Sequence, residues 1–431
     1  MNFKRLVYKY NNIDVNVLRY TGNIGNIENI TPSVKYDYNN SLPSQSNNNE
    51  INIHKEILRS IIIKNLVKTF RDQIRTLKIK NLGLIFKYNK LDDYVHKWCW
   101  LQYENPNLED NVIPYLKNDS YNFNEFHNDF NYTMKKANIN LSDLDHLINK
   151  IKSLLKKSYF DFKNTKYEKL KIIKIRNEDN VILKCEYNNN EEIKVTLSND
   201  LYIRLLKKCN SNLNCDELIF CLIYRYSYID AENQQLAIHK KIKELFKNYG
   251  VNFELFGSAI NALSDHYCSL FYDIEKYFGS EGNFFDINLK SGIYWCNPPY
   301  IDRLMTKTAH KLIDIMNNTT NIAFIITIPI WDNITQSMKF TEITRNYKTD
   351  RDINGFSDYP IYELLKPYIK DELIIPKNRI PYFNFRHNKY INARDTYMLI
   401  VYKDIQFKNF HIVFDKIIEL DKTDFFILNN E

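Results

Sequence analysis

Long apolar runs are missing from this chain. No stretch of eighteen apolar residues occurs, which excludes a membrane-spanning helix. The opening MNFKRLVYKY has no apolar core of the kind a secretory leader needs, so an intracellular protein is expected. Glycine is scarce, 9 residues against 32 tyrosines, so the few glycine-bearing stretches stand out. Cysteine is also sparse, and its count of 7 is odd. Cys209, Cys215 and Cys221 fall six apart, not in the paired CxxC spacing of a zinc site. Reduced, mostly buried thiols are therefore expected, hence an intracellular protein; a cytoplasmic location is expected over a nuclear one. A strong charge of one sign is lacking too. A net charge of +7 over 431 residues permits a nucleic-acid partner without requiring one.

What is present suffices for two or three folded domains. A 44% hydrophobic and 14% aromatic composition supplies a core and argues against global disorder. Asn, Ile, Lys and Tyr are used heavily, as in a chain encoded by an A/T-rich genome, so single Asn or Lys residues carry little signal. Residues 1–50 hold one candidate strand, LVYKY, and then NNSLPSQSNNNE, which has the composition of a linker. They are expected to form an N-terminal extension.

Residues 51–248 are predicted to form a mainly helical domain with a small sheet. Ile57, Ile61, Val67, Phe70, Ile74 and Leu77 recur at helical spacing. The opposite face carries Lys55, Arg59, Lys64, Lys68, Arg71 and Arg75, either as a solvated face or as a surface for phosphates. Alternation over 170–175, 181–187 and 192–197 predicts three strands, and Ser198-Asn199-Asp200 a helix cap.

The pattern changes over residues 249–431. FELFGSAINA, YWCNPPY, AFIITIPIW, ELIIP and YMLIVYK are short apolar runs separated by helical stretches, which predicts an α/β sheet covered on both faces. GIYWCNPPYI runs a strand straight into Asn297-Pro298-Pro299-Tyr300, and a helix follows. Two prolines end any ladder, because neither has an N–H to give. Open α/β sheets place their chemistry at such edges.

Those four residue types suit one chemistry. The exocyclic amine of adenine is a poor nucleophile because its lone pair is delocalised into the ring. A side-chain amide oxygen from Asn297 and the Pro298 carbonyl can both accept from that N–H₂ and steer the lone pair outward. Tyr300 offers a flat face for the base, a contact worth about 1–3 kcal/mol. Orientation and electrostatics would then supply the rate.

An (N/D/S)PP(Y/F/W) motif resembles the signature of class I S-adenosylmethionine-dependent amino-methyltransferases. With FELFGSAINA, YFGSEGNFFDINLKSGIYWCNPPY and FIITIPIW in that order, the chain is more closely similar to the phosphorylated-CTD-interacting-factor family. The resemblance covers roughly Phe253 to Trp331, with a weaker tail at NARDTYMLIVY. It implies a Rossmann-like class I methyltransferase domain preceded by a mainly helical domain with a small β-sheet. It also implies methyl transfer from S-adenosyl-L-methionine, leaving S-adenosyl-L-homocysteine, to N6 of the cap-adjacent adenosine of m7G-capped mRNA.

By the same resemblance Asn297, Pro298, Pro299 and Tyr300 match the catalytic tetrad, with Tyr where the animal protein has Phe. Phe256, Gly257, Ser258 and Asn261 match one cofactor-side block, with Gly257 and Ala259 replacing Ala and Pro. Phe278, Gly279, Ser280 and Gly282 match another, and Asp286 the acidic residue after it. Glu254 fits a polar contact near the cofactor. Trp331 either lines the methylation pocket or closes a strand in the core.

Basic and aromatic residues interleave further on, from Tyr382 and Phe383 through Arg386, Lys389 and Tyr390 to Arg394, as a single strand with stacked bases asks. Arg386 and Arg394 are assigned to the substrate. His387, beside Arg386 and Lys389 with no Cys or Asp partner, gives no reason to expect a metal. The family's WW module needs two Trp about twenty apart. Trp98 and Trp100 are followed by no Trp until Trp295, so the module and its contact with the polymerase tail are expected to be absent. A protein partner is not legible, and no membrane contact is expected. Adenine-N6 methylation of DNA or internal RNA stays open, as does a non-catalytic RNA-binding subunit that keeps the fold.

Overall fold

The apolar runs of the second half form strands, and strands from the start of the chain join them. The computed structural model describes residues 3–10, 13–21, 37–40, 51–76, 90–103, 105, 107–117, 141–187, 191–210, 214–229, 236–262, 264–329, 360–375, 380–384, 389–392, 396–405 and 411–420. Packing divides the chain into two units, Met1–Ser46 with Gln234–Glu431, and Asn47–Asn233. The first segment supplies β1 (Phe3–Tyr10), β2 (Ile13–Thr21) and β3 (Asp37–Asn40).

The unit Asn47–Asn233 contains α1 (Ile53–Thr76), α2 (Lys90–Gln102) and α3 (Leu141–Asn164). A meander of β4 (Ile173–Arg176), β5 (Asn180–Tyr187) and β6 (Glu191–Ser198) follows, with α4 (Asn199–Lys208) and α5 (Cys215–Tyr228). Ser198 caps α4 by accepting from the Leu201 N–H. Ile57, Phe70 and Ile74 of α1 are fully buried, whereas Ile61 is exposed.

The basic face of α1 is not continuous. Arg59 is 3% exposed and bridges Glu56 and Asp110. Arg71 pairs with Asp92, while Lys64 and Lys68 are exposed. Glu56 also accepts from Arg225 Nε at 2.9 Å and from the Tyr228 hydroxyl at 2.5 Å. Burial alone would raise the pKa of Glu56, but Arg225 and Arg59 outweigh it and hold it at about 2. The expectation of reduced thiols needs one correction. Cys209 and Cys215, at the end of α4 and the start of α5, are joined in a disulfide, while Cys99, Cys185, Cys221, Cys268 and Cys296 are free and buried. Their Cα atoms lie 6.3 Å apart, inside bonding range. Among the described residues no helix is long and apolar enough to cross a membrane.

The other unit continues with β7 (Leu236–Ile238), α6 (Lys240–Asn248), β8 (Phe253–Gly257), β9 (His266–Ser269), α7 (Tyr272–Glu275) and β10 (Ile287–Cys296). Then come α8 (Asp302–Asn318), β11 (Ile322–Pro329), α9 (Pro360–Leu365), β12 (Ile369–Ile375), β13 (Pro381–Asn384), β14 (Lys389–Asn392), β15 (Thr396–Val401) and α10 (Ile412–Glu419). Its main sheet has the order β1-β2-β12-β15-β11-β10-β8-β9, with β3 on the first half of β10. β11, β10, β8 and β9 are parallel, and β15 runs antiparallel between β11 and β12.

Residues 1–50, expected as an extension, thus contribute three strands with partners in this sheet. The helical stretch expected to run to 248 breaks at β7. Ile238, Ile242 and Phe246 pack with Trp295, which places β7 and α6 with the sheet. β7, β13 and β14 form a separate three-stranded sheet.

Both faces of the main sheet are covered, which is why its central strands read as unbroken apolar runs. Phe324, Ile326, Tyr294, Cys296 and Leu399 face one core with Met305, Leu312 and Ile361. Ala323, Ile325, Trp295 and Ile400 face the other with Phe246 and Phe414. The strand period of two assigns alternate residues to the two cores.

Candidate active site

The chain leaves β8 outward to β9 and returns on the other side of β8 as β10. The strand order therefore reverses between β8 and β10. In open α/β sheets a crevice forms at the carboxyl ends of two such strands. Gly257 ends β8 and Cys296 ends β10, so the loop Ser258–Asn261 and the tetrad Asn297–Tyr300 share this edge. Trp295 sits in register with Glu254 across the two strands.

The tetrad leaves the sheet without a ladder partner. Pro298 is buried, while Asn297, Pro299 and Tyr300 are half-buried. The Pro299 carbonyl already accepts from the Ile301 N–H at 2.8 Å. The Tyr300 hydroxyl donates to Asn297 Oδ1 at 3.0 Å, so the amide is held by its own motif.

The loop after β8 is fixed from inside. Asn261 Oδ1 accepts from the Ser258 N–H at 2.8 Å and from the Ser258 hydroxyl at 3.1 Å. The Ala259 N–H donates to Glu275, a fully buried carboxylate of α7, at 2.6 Å. A Cβ on Gly257 would lie 3.2 Å from Ala262 Cβ, so strand end and loop are in close contact. The Phe278–Gly282 block is tied to β9. Ser280 Oγ lies 2.6 Å from Ser269 Oγ, the Phe278 carbonyl accepts from the Tyr267 hydroxyl, and the Gly282 carbonyl from the Ser269 N–H. Gly279 turns at φ 88° with nothing within 4 Å of where a Cβ would stand. A close-packed glycine at the strand end and a rigid polar loop beside open space fit a small cofactor approached by backbone.

Two of the residues expected to contact the cofactor, Glu254 and Asp286, have other neighbours in the structure. Glu254 is 2% exposed and accepts from Lys243 Nζ of α6 at 2.9 Å, so its carboxylate faces a buried cation. Asp286 is exposed and precedes the first residue of β10, while Asn297 follows its last. Its charge acts on Lys311, whose pKa burial lowers and Asp286 opposes. Trp331, Arg386 and Arg394 lie outside the described residues. No group of His, Cys, Asp and Glu able to hold a metal occurs among the described residues.

Sequence reasoning missed Lys243 and Glu275. Lys243 Nζ donates to Glu254 and, at 3.1 Å, to the Asn261 carbonyl, and it lies 4.5 Å from the Trp295 ring centroid. One buried cation thus touches both the loop after β8 and the Trp295 ring of β10. Its signal was a lysine on the apolar stripe of Ile242 and Phe246. Glu275 had no local signal.

Comparison with known proteins bears on this edge. Residues 199–353, less than half of the chain, match the family model described as "Phosphorylated CTD interacting factor 1 WW domain". The expectation that this chain lacks a region of that description is therefore corrected. Tryptophan spacing near Trp98 was the wrong criterion, because the matched region spans α4 to β11 and holds Trp295 and Trp331 instead. Two relatives, from Mus musculus and Homo sapiens, are each described as "mRNA (2'-O-methyladenosine-N(6)-)-methyltransferase". Each is 30% identical over 122 residues, 26% of this chain and 17% of the relative. The match thus spans about a sixth of the length of these relatives. With the strand order, it shows the fold class, a Rossmann-like class I methyltransferase domain preceded by a mainly helical domain with a small sheet.

Proposed function

We propose that this chain is an S-adenosyl-L-methionine-dependent RNA adenine-N6 methyltransferase, acting on the cap-adjacent adenosine of m7G-capped mRNA. The observation that carries the reading is the placement of Asn297-Pro298-Pro299-Tyr300 at the carboxyl end of β10, beside the loop that closes β8. The names of the two relatives supply the substrate class.

Gly257, Ser258 and Asn261 would hold the cofactor on the β8 side, with Phe256, Phe278, Gly279, Ser280 and Gly282 shaping the wall. Asp273 is half-buried in α7 just after β9. It is better placed than Asp286 to accept from ribose hydroxyls, as an acidic residue at the neighbouring strand end does in nucleotide-binding sheets. S-adenosyl-L-methionine, when bound, supplies an electrophilic methyl group. Asn297 Oδ1 and the Pro298 carbonyl accept from the two N–H bonds of the adenine amine and turn its lone pair out of conjugation. Tyr300 stacks the ring and limits its rotation. Trp331, Arg386 and Arg394 are assigned to the RNA side on sequence grounds alone.

Transfer of labelled methyl to matched adenosine-leading RNAs, m7G-capped and uncapped, tests this reading, with Asn297→Ala as control. Cap-dependent N6 labelling lost in the variant is expected. Equal labelling of both RNAs would overturn the cap assignment and turn attention to DNA and internal RNA. Folded protein that labels none of these substrates would overturn the enzymatic reading.

A further inference from the structure

The 7 cysteines of the chain all fall among the described residues, and they divide into two kinds. Cys99, Cys185, Cys221, Cys268 and Cys296 are free thiols, each at most 1% exposed. Burial raises the pKa of all five, which keeps them protonated and inert towards exchange. Cys209 and Cys215 are part exposed and bonded to each other.

That bond is not what holds its two helices. A disulfide stabilises more the longer the loop it closes, and a separation of 6 lies at the short end. α4 is anchored by the buried Leu201, Tyr202 and Leu205, and α5 by Leu218, Ile219 and Leu222. The Tyr202 hydroxyl donates to Asp216 Oδ1 at 2.6 Å, which joins α4 to α5 independently of the sulfurs. Lys174 of β4 donates to the same carboxylate at 2.9 Å. Each helix end is also closed by its own backbone. The Cys209 N–H donates to the Leu205 carbonyl at 2.9 Å, and Asn214 Oδ1 accepts from the Asp216 N–H at 3.0 Å. A bond that is part exposed, closes a short loop and is backed by other links can open without unfolding its surroundings.

We propose that Cys209 and Cys215 form a reversible thiol–disulfide exchange site, whose substrates are small disulfides and thiols of the glutathione class. In the oxidising direction one cysteine loses its proton, and its thiolate displaces a thiolate from the small disulfide. The second cysteine then attacks the resulting mixed disulfide and releases the other small thiol. One S–S bond breaks and one forms. Two electrons pass to the small molecule, and the two protons of the protein thiols end on the two small thiols released. Excess small thiol runs the same steps backwards. Reduction then frees the end of α4 from the start of α5, while the Tyr202–Asp216 bond stays in place.

The test holds the full chain in buffers that run from reduced to oxidised glutathione. Acid quenching, alkylation of free thiols and mass spectrometry then assign each cysteine. Across that range the pair should pass from about nine-tenths dithiol to about nine-tenths disulfide. The other five cysteines should stay thiols, and the far-ultraviolet circular dichroism should not change. In oxidised glutathione, Cys209→Ser should carry a mixed disulfide at Cys215, and Cys215→Ser one at Cys209. A bond that excess reduced glutathione opens only in denaturant would be a structural staple and would overturn the proposal. So would reduced protein that stays a dithiol in oxidised glutathione, loss of helical signal on reduction, or equal modification of the buried cysteines.

Discussion

Replacing Lys243 by Met removes one buried charge and keeps most of the side-chain volume. Lys243 and Glu254 have side chains only 4% and 2% exposed, so the remaining carboxylate cannot recover its hydration. Breaking a buried pair in this way costs about 3–5 kcal/mol. Two further losses act in the same direction, the bond from Nζ to the Asn261 carbonyl and the ammonium over Trp295. The desolvated cation–π contact alone is worth about 2 kcal/mol. Lys243→Met/Glu254→Gln leaves no uncompensated charge and should recover at least about 2 kcal/mol of the single variant's loss. Native-state hydrogen exchange at the Leu255 and Trp295 amides reads this locally, apart from unfolding of the helical unit. The cofactor-side loop should loosen with it, seen as faster exchange at Ser258 and Ala259. A single-variant cost below about 1 kcal/mol, or no recovery in the double variant, would refute a linking role for this cation.

Gly279→Ala should cost about 1–2 kcal/mol, because its φ of 88° is strained for any side chain despite the open space around it. Gly257→Ala, with no positive φ and a 3.2 Å approach to Ala262 Cβ, should cost less; thermal unfolding of both variants compares them. In the helical unit, Glu56 and Asp110 are held at about 2 although burial opposes their ionisation. A depressed folded pKa stabilises fully above the unfolded value, so this contribution should fade as pH falls from about 5 towards 2, by up to about 3 kcal/mol for Glu56. Acid titration of the far-ultraviolet circular dichroism of wild type against Glu56→Gln measures it; a wild-type acid limb that coincides with the variant's would contradict the assignment.

Much of the second half was legible because strands buried on both faces leave short apolar runs, and YWC and AFIITIPI are such runs. The tetrad was legible because two prolines after a strand fix the edge at which they occur. The three strands of the small sheet were readable from alternation, and Ser198 as a cap from its residue type. What escaped the sequence depended on distant partners. β3 lies along β10, and nothing in DYNN announces it. β7 is only three residues long, inside a stretch of helical composition. Glu254 read as a cofactor contact because its partner Lys243 sits eleven residues earlier on another element. Asp286 read as the acidic residue after a glycine block, yet it stands immediately before β10, at the end away from the tetrad. The Cys209–Cys215 bond joins the end of one helix to the start of the next, a proximity that a spacing of six does not announce.

The central claim is that the carboxyl ends of β8 and β10 hold the cofactor against the tetrad. Hydrogen-exchange protection on binding S-adenosyl-L-homocysteine tests it most directly. Protection is expected at Phe256 to Asn261, at Phe278 to Gly282 and at Asn297 and Tyr300, with none in residues 51–229. Protection confined to the helical unit, or binding that leaves the β8 loop exchanging as before, would contradict it.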